Sequence, residues 1–253
     1  MKMITSVHNE EIKKVASLHH TKYRAEHQQF IAEGTRAIST LLEANAQFIM
    51  LYLTQDKPFP QFAKKIPEKQ IRLVSASVMK KISTATTPSG MLAVFAIPTE
   101  PPAKQLGNGI VFAEIADPGN MGTLIRTAAA LGRNSVVIVG GVDPWNPKVV
   151  QASAGTIGYV NIFCWDWKQL RTHSKKNGLH LIALVVSGGK ESANISYANS
   201  LLVVGSEAHG VPEPWLTNCD EQMSIPMPGN IESLNAAVAG SIAMYIAYQH
   251  EIE

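Results

Sequence analysis

From Gly109 onward, short apolar runs recur between stretches of helical patterning, and this alternation restricts the fold more than any other feature of the chain. The runs cover residues 110–115, 136–139, 159–163, 179–186, 201–204 and 223–225, and helical text occupies 123–131, 148–154, 167–176 and 234–248. Runs that are mostly apolar, with no regular polar alternation, suit strands buried on both faces. A largely parallel sheet covered by helices on each side follows. Ligands of such sheets bind beyond the carboxyl ends of the strands, so the loops after these runs are the places to look.

The preceding hundred residues read as a smaller α/β unit. Helices are expected near 10–19 and 35–43, strands at 30–32, 48–53, 71–74 and 91–97, and a further helix begins at Ser75. Between the halves, Ile97-Pro98-Thr99-Glu100-Pro101-Pro102-Ala103-Lys104 has three prolines and no apolar period, which marks a stiff connector. The expected division is residues 1–97, a linker over 98–108, and a second domain over 109–253. The 253-residue length accommodates two modest domains, and 45% hydrophobic with 17% charged residues excludes a disordered or coiled-coil chain.

Charge is divided unevenly. Residues 1–105 carry 14 Lys and Arg against 8 Asp and Glu, whereas residues 106–253 carry 8 against 12. A basic unit beside an acidic one points to a polyanion such as nucleic acid, the plain alternative being a solvated basic surface. Lys22, Arg24 and Arg36 are the candidate phosphate contacts here, with Lys80-Lys81 a second cluster. Cys164 and Cys219 are too few for a disulfide framework or a four-thiolate zinc site, so no metal is expected. The longest apolar stretch, residues 236–248, is too short to span a membrane. With no signal-like N-terminus, the expected location is the cytoplasm.

Neither G-x-G-x-x-G nor G-x-x-x-x-G-K-[ST] occurs, which removes weight from the common nucleotide folds. Three glycine-bearing loops follow strand-like runs instead. The first, Asp117-Pro118-Gly119-Asn120-Met121-Gly122-Thr123, hands the chain to a helix that Asn120 or Thr123 is placed to cap. Leu124, Ala128 and Leu131 form the core stripe of that helix, and Arg126 and Arg133, seven apart, are expected to share another face. Two guanidiniums on one side suit phosphate, which makes Arg133 a further candidate RNA contact; the plain reading is a turn, a cap and two solvated arginines. The second loop, Gly205-Ser206-Glu207-Ala208-His209-Gly210, sets a carboxylate directly after a strand. No His/Asp/Ser or His/Cys arrangement is legible around His209, which reads as a surface loop histidine. In the third, Pro226-Met227-Pro228-Gly229-Asn230-Ile231-Glu232-Ser233-Leu234-Asn235, Ser233 is expected to cap the last helix. That helix is apolar nearly all round, so its own domain or a second subunit must cover it.

Asp117 through Ala128, Val204 through Gly210, and Ile225-Pro226-Met227 through Ser233-Leu234-Asn235, in this order, resemble the three motifs of the SpoU (TrmH-like) RNA ribose 2′-O-methyltransferases. The stretch around Lys22-Tyr23-Arg24 and Phe30-Ile31-Ala32-Glu33-Gly34 is similar to the substrate-binding domain that often precedes the methyltransferase domain in this family. The resemblance implies a SPOUT-type α/β sheet with a C-terminal trefoil knot, an obligate homodimer and S-adenosylmethionine as cofactor. By the same resemblance Gly205, Ile225, Met227 and Leu234 hold the cofactor. Asn120, Arg126, Glu207, Ser233 and Asn235 match the family's active-site residues, and ribosomal or transfer RNA is the implied substrate. One departure is Ala208, where many relatives carry glycine. A non-catalytic RNA-binding protein on the same fold is the alternative.

Overall fold

The computed structural model describes residues 3–56, 59–229 and 232–252. In chain order the elements are α1 (Glu10–Ser17), α2 (Thr21–His27), β1 (Gln29–Glu33), α3 (Thr35–Glu43), β2 (Phe48–Thr54), β3 (Ile71–Val74), α4 (Ala76–Ile82) and β4 (Met91–Ala96). There follow β5 (Gly109–Ala113), α5 (Pro118–Ala130), β6 (Ser135–Val139), α6 (Pro147–Ala152), β7 (Asn161–Cys164), α7 (Trp167–Lys176) and β8 (His180–Val185). The chain closes with β9 (Ser200–Gly205), α8 (Glu213–Leu216), β10 (Glu221–Ser224) and α9 (Ala236–Ile252). Short α2 and α8 were not evident as helices in the sequence, since neither is long enough to show an apolar period.

Two compact units form. The first comprises Met1–Thr99 together with Asp143–Gly158, and the second Glu100–Val142 with Tyr159–Glu253. In the first, four strands lie in the order β1-β4-β2-β3, with β4 antiparallel to both neighbours and β2 parallel to β3. Helices α1 and α4 start at side-chain caps, Asn9 Oδ1 accepting from the Glu11 and Ile12 amides and Ser75 Oγ from Val78. Their apolar faces bring Ile12, Val15, Val78 and Ile82 against Ile31, Tyr52 and Val94 of the sheet.

Residues 143–158 connect β6 to β7, yet their helix α6 packs on β1. This differs from the expected division, in which the segment lay in the second domain. The reason is an ion pair across 119 residues of sequence. Arg24 donates through Nε (2.8 Å) and Nη2 (2.5 Å) to Asp143 Oδ2. Its remaining donors reach the Leu18 and His19 carbonyls and Thr21 Oγ1. Trp145 then packs on Phe30, with ring centroids 4.8 Å apart. Gly155, at φ +83°, lies so close to Ala37 that a Cβ would fall 2.4 Å from its carbonyl oxygen. The expectation that Arg24 contacts RNA is therefore corrected: the side chain is 1% exposed and every guanidinium donor is taken.

The second unit is a six-stranded sheet in the order β10-β8-β9-β5-β6-β7, parallel at every pairing. The central strands β5, β6 and β9 are buried at every position, which accounts for their predominantly apolar text. Helix α9 lies over β9 and α5. Its small residues permit the approach, since a Cβ on Gly240 would sit 2.5 Å from Leu124 Cδ2. Ala243, Met244 and Ala247 are fully buried.

Arg133 is the second correction. Helix α5 ends at Ala130, and Gly132 turns the chain at φ +70°, so Arg133 does not share a helix face with Arg126. It is 1% exposed and donates from Nη2 to Glu251 Oε1 of α9 at 2.8 Å. Burial pushes its pKa below the ordinary arginine range, while Glu251 opposes the shift. It fastens the C-terminal end of α9, and although its Nε has no partner among the described residues, that donor is buried and presents no exposed face to RNA.

Removing one partner of a buried pair strands the other. Arg24→Ala is expected to lower the unfolding free energy by about 3 kcal/mol, measured by urea denaturation, whereas Lys22→Ala on the exposed face of α2 leaves the midpoint unchanged. Equal midpoints for Arg24→Ala and the native chain would contradict the structural role.

Candidate active site

The three glycine-bearing loops meet at the carboxyl ends of the central strands. β5 and β9 are paired in register from Gly109↔Leu201 to Ala113↔Gly205, so the segments that follow them leave the sheet side by side. After β5 the chain turns into α5 at Asp117, whose Oδ1 accepts the Asn120 amide at 2.8 Å. Asp117 is thus the cap, rather than Asn120 or Thr123, and Pro118 follows at the first helical position. Asp-Pro is the sequence signal that identifies this start.

After β9, Ser206 and Gly210 exchange two backbone hydrogen bonds of 3.1 and 2.8 Å and close a tight turn with Glu207 at its start. Gly205 has no room for a side chain, because a Cβ would lie 2.0 Å from the Gly210 carbonyl carbon. Gly210 takes φ +65°. Ala208 is not among the residues with positive φ, so the departure from glycine at this position costs no backbone strain.

The third loop enters α9 at Asn235. Asn235 Oδ1 accepts the Ala237 and Val238 amides at 2.9 and 3.3 Å, so Asn235 caps the helix, in place of the expected Ser233. Ser and Asn are both good caps, and the sequence does not choose between positions two residues apart. Ser233 is exposed and makes no hydrogen bond among the described residues. Asn230 and Ile231 lie outside the described residues.

Hydrogen bonds join the loops in one direction. Asn235 Nδ2 donates to Asn120 Oδ1 at 3.1 Å, and Asn120 Nδ2 donates to Glu207 Oε1. Three residues from the three motifs are therefore in contact, and the orientation of each amide is determined by its neighbours. Thr127 Oγ1 and Ser241 Oγ, 3.0 Å apart, add a further tie between α5 and α9. Arg126 is outside this network. It follows Asn120 by six residues, which turns it about 120° around the helix; it is exposed, and among the described residues it has no hydrogen bond or ion pair.

The other expected positions surround the same loops. Gly205 is buried, and Ile225, Met227 and Leu234 are half-buried. Among the described residues the Ile225 and Met227 amides have no backbone hydrogen bond, and a Cβ on Gly229 would meet nothing within 4 Å. Free backbone donors beside half-buried apolar side chains fit a ligand with a planar polar edge and an apolar face. His209 is exposed and is hydrogen-bonded to no acid or nucleophile among the described residues. No three His, Cys, Asp or Glu side chains gather as a metal-binding group among the described residues. In the first unit Lys22 and Arg36 are exposed, the Lys22 ammonium lying 5.7 Å from the Tyr23 ring centroid.

Asn235 performs two separable tasks. Asn235→Ala removes the α9 cap at a cost of about 1 kcal/mol, which lowers the melting temperature by about 2–4 °C. Asn235→Asp retains the accepting oxygen but loses the donor to Asn120, so the melting temperature stays near that of the native chain while ligand binding at the three loops weakens. Equal melting temperatures for the alanine and native proteins would remove the cap from the account.

Residues 108–245 match the family model described as the SpoU rRNA Methylase family, and residues 9–93 match an MRM3-like substrate binding domain. Among curated proteins, the chain is 31% identical to an uncharacterized tRNA/rRNA methyltransferase of Synechocystis over 98% of this chain and 94% of that one. It is 28% identical to a 23S rRNA (guanosine(2553)-2′-O)-methyltransferase of Bacillus subtilis, over 97% and 98% of the two chains. Among solved structures, an RNA 2′-O ribose methyltransferase superposes with a TM-score of 0.83 at 27% identity over the whole of both chains. An AdoMet-bound rRNA methyltransferase from Sinorhizobium meliloti shares the fold, with a TM-score of 0.87 at 24% identity over 98% of each chain.

Proposed function

Because the chain belongs to the SpoU rRNA methylase family, we propose that it transfers a methyl group from S-adenosylmethionine to a ribose 2′-hydroxyl of ribosomal or transfer RNA. The observation that carries this reading is the hydrogen-bonded chain from Asn235 through Asn120 to Glu207, which joins the three motifs at the strand ends. The bound cofactor supplies an activated methyl on a sulfonium that leaves as a neutral thioether. Gly205, Ile225, Met227 and Leu234 hold it, largely through backbone groups, and the unengaged Ile225 and Met227 amides support that assignment.

Alignment of two bound reactants supplies much of the rate. Asn120 and Asn235 orient the ribose, with Glu207 fixing the Asn120 amide through a charge-assisted bond; Ser233, two residues before Asn235 in the chain, has its hydroxyl uncommitted among the described residues. Arg126 grips an RNA phosphate and stabilises charge growing on the 2′-oxygen, while the proton passes to phosphate or water. Arginine keeps its own proton in this range, so charge stabilisation is favoured over a role as base.

The active protein is a homodimer. Val238, Ile242 and Tyr245 are 47%, 37% and 53% exposed and recur at i, i+4 and i+7 on α9, which is an apolar stripe with no cover in one copy. The C-terminal segment forms the trefoil knot of the SPOUT fold. The first unit binds the RNA substrate, with exposed Lys22 and Arg36 on its surface. No helix among the described residues is long and apolar enough to cross a membrane, and Cys164 and Cys219, which form no disulfide, suit the reducing cytoplasm as the place of action.

If Arg126 acts through charge, Arg126→Lys retains measurable methyl transfer under saturating RNA and cofactor, while Arg126→Ala loses about 100-fold or more. Equal abolition by both contradicts the charge role. Mapping of ribose methylation across cellular RNA with and without the protein identifies the nucleotide, and an unchanged map overturns the reading.

A further inference from the structure

The lysines that close α4 are left over once the fold and the active-site loops are accounted for. Lys80 and Lys81 occupy the last turn of that helix, where the negative end of the helix dipole favours cations. They are not engaged there as caps. The final carbonyl, that of Ile82, is already met by His19 Nε2 at 2.8 Å, and among the described residues neither lysine is paired with a carboxylate. Position on α4 also does not explain what faces them. The turn before α1 and the first part of α1 bring His8 and Lys13 across from α4, and Val7, His8, Lys13, Ser77, Lys80 and Lys81 line one open groove of about 480 Å³. The acid in the neighbourhood, Glu10, pairs with Lys13 at 2.8 Å, but its side chain is 88% exposed and turned to solvent. Ser77 adds a hydroxyl, 2.9 Å from that of Ser75.

We propose that this groove, between the start of α1 and the end of α4, grips the phosphate backbone of the RNA substrate. The inference rests on the reading of the protein as an RNA methyltransferase and moves the main contact on the first unit away from the 22–24 cluster, where Arg24 is consumed by Asp143. Lys80 and Lys81 supply two ammonium groups with no carboxylate partner among the described residues, and Lys13, whose own partner Glu10 is turned to solvent, supplies a third from the facing element. Ammonium groups on flexible stems suit a chain of phosphates, which requires charge at a repeating distance and no fixed planar geometry. Groups used in this way release counterions when they bind, so they are visible in the salt dependence of affinity.

The test uses the full chain and in vitro transcribed 23S ribosomal RNA, with affinity measured over a range of salt. The Lys80→Ala/Lys81→Ala variant is compared with Lys64→Ala/Lys65→Ala, which removes the same charge from an equally exposed pair elsewhere in the unit. The first variant is expected to reduce the slope of log affinity against log salt by about 2 and to weaken binding about tenfold near 0.1 M salt. The second keeps the native slope, and both keep the native melting temperature and S-adenosylmethionine affinity. Native slope in the Lys80/Lys81 variant, alongside methyl transfer by the native chain, overturns the groove but leaves the methyltransferase reading intact. Equal losses in the two variants also overturn it, by making the contact diffuse charge. Native RNA binding without methyl transfer overturns the methyltransferase reading, while the two slopes still decide the groove. If the lysine pair governs adsorption to anionic phospholipid vesicles and not to RNA, the occupant is a membrane and the proposal fails.

Discussion

The N-terminus of α9 is where the second unit is drawn together. Asn235 accepts two amides that the helix cannot satisfy itself and, with the other end of the same carboxamide, donates to Asn120. Asn120 is held in turn by Asp117 through its backbone and passes its own donor to Glu207. An amide has distinct donor and acceptor ends, so the orientation of each member follows from the one before it. The helix cap, the turn after β9 and the start of α5 form one polar unit in consequence, although 115 residues separate Asn120 from Asn235.

Steric constraints keep the same region closed. Gly205 faces the backbone of Gly210 and Val211, and Gly240 faces Leu124 and Val204; a methyl group at either place meets an atom within 2.5 Å. The first contact brings the turn carrying Glu207 against its strand, and the second lowers α9 onto α5. At its far end α9 is fastened by Glu251 to Arg133, with Asn108 Nδ2 sharing the same carboxylate oxygen at 3.1 Å. A helix that is apolar on nearly every face has no polar side to specify its rotation. Its position is decided by these two polar ends and by the small residues between them.

The first unit shows what a buried charge does to a reading of surface potential. Its basic excess is real in the sequence, but one of its cations, Arg24, is internal and serves to retain residues 143–158. Arg72 is also partly committed, pairing with Glu11 at 3.2 Å. The charge that remains for a polyanion is carried mainly by lysines on exposed helix ends, where their flexible stems stay solvated.

Much was legible in the residues alone. Helix α3, strand β3 and helix α7 coincide with the segments read from period and punctuation, and the parallel sheet follows from mostly apolar runs without regular polar alternation, because a strand buried on both faces has no polar side to show. The three motif loops were also legible, since Gly, Pro, Asn and Asp concentrate where the backbone must turn. What the sequence did not decide was partnership. Arg24 and Arg133 have the same local text as solvated arginines, and only their distant acids, Asp143 and Glu251, draw them inside. Ser233 and Asn235 are equally competent caps until Asn120 selects one of them. Local propensity is written in neighbouring residues, but burial of a charge or orientation of an amide depends on a group that the chain brings near only by folding.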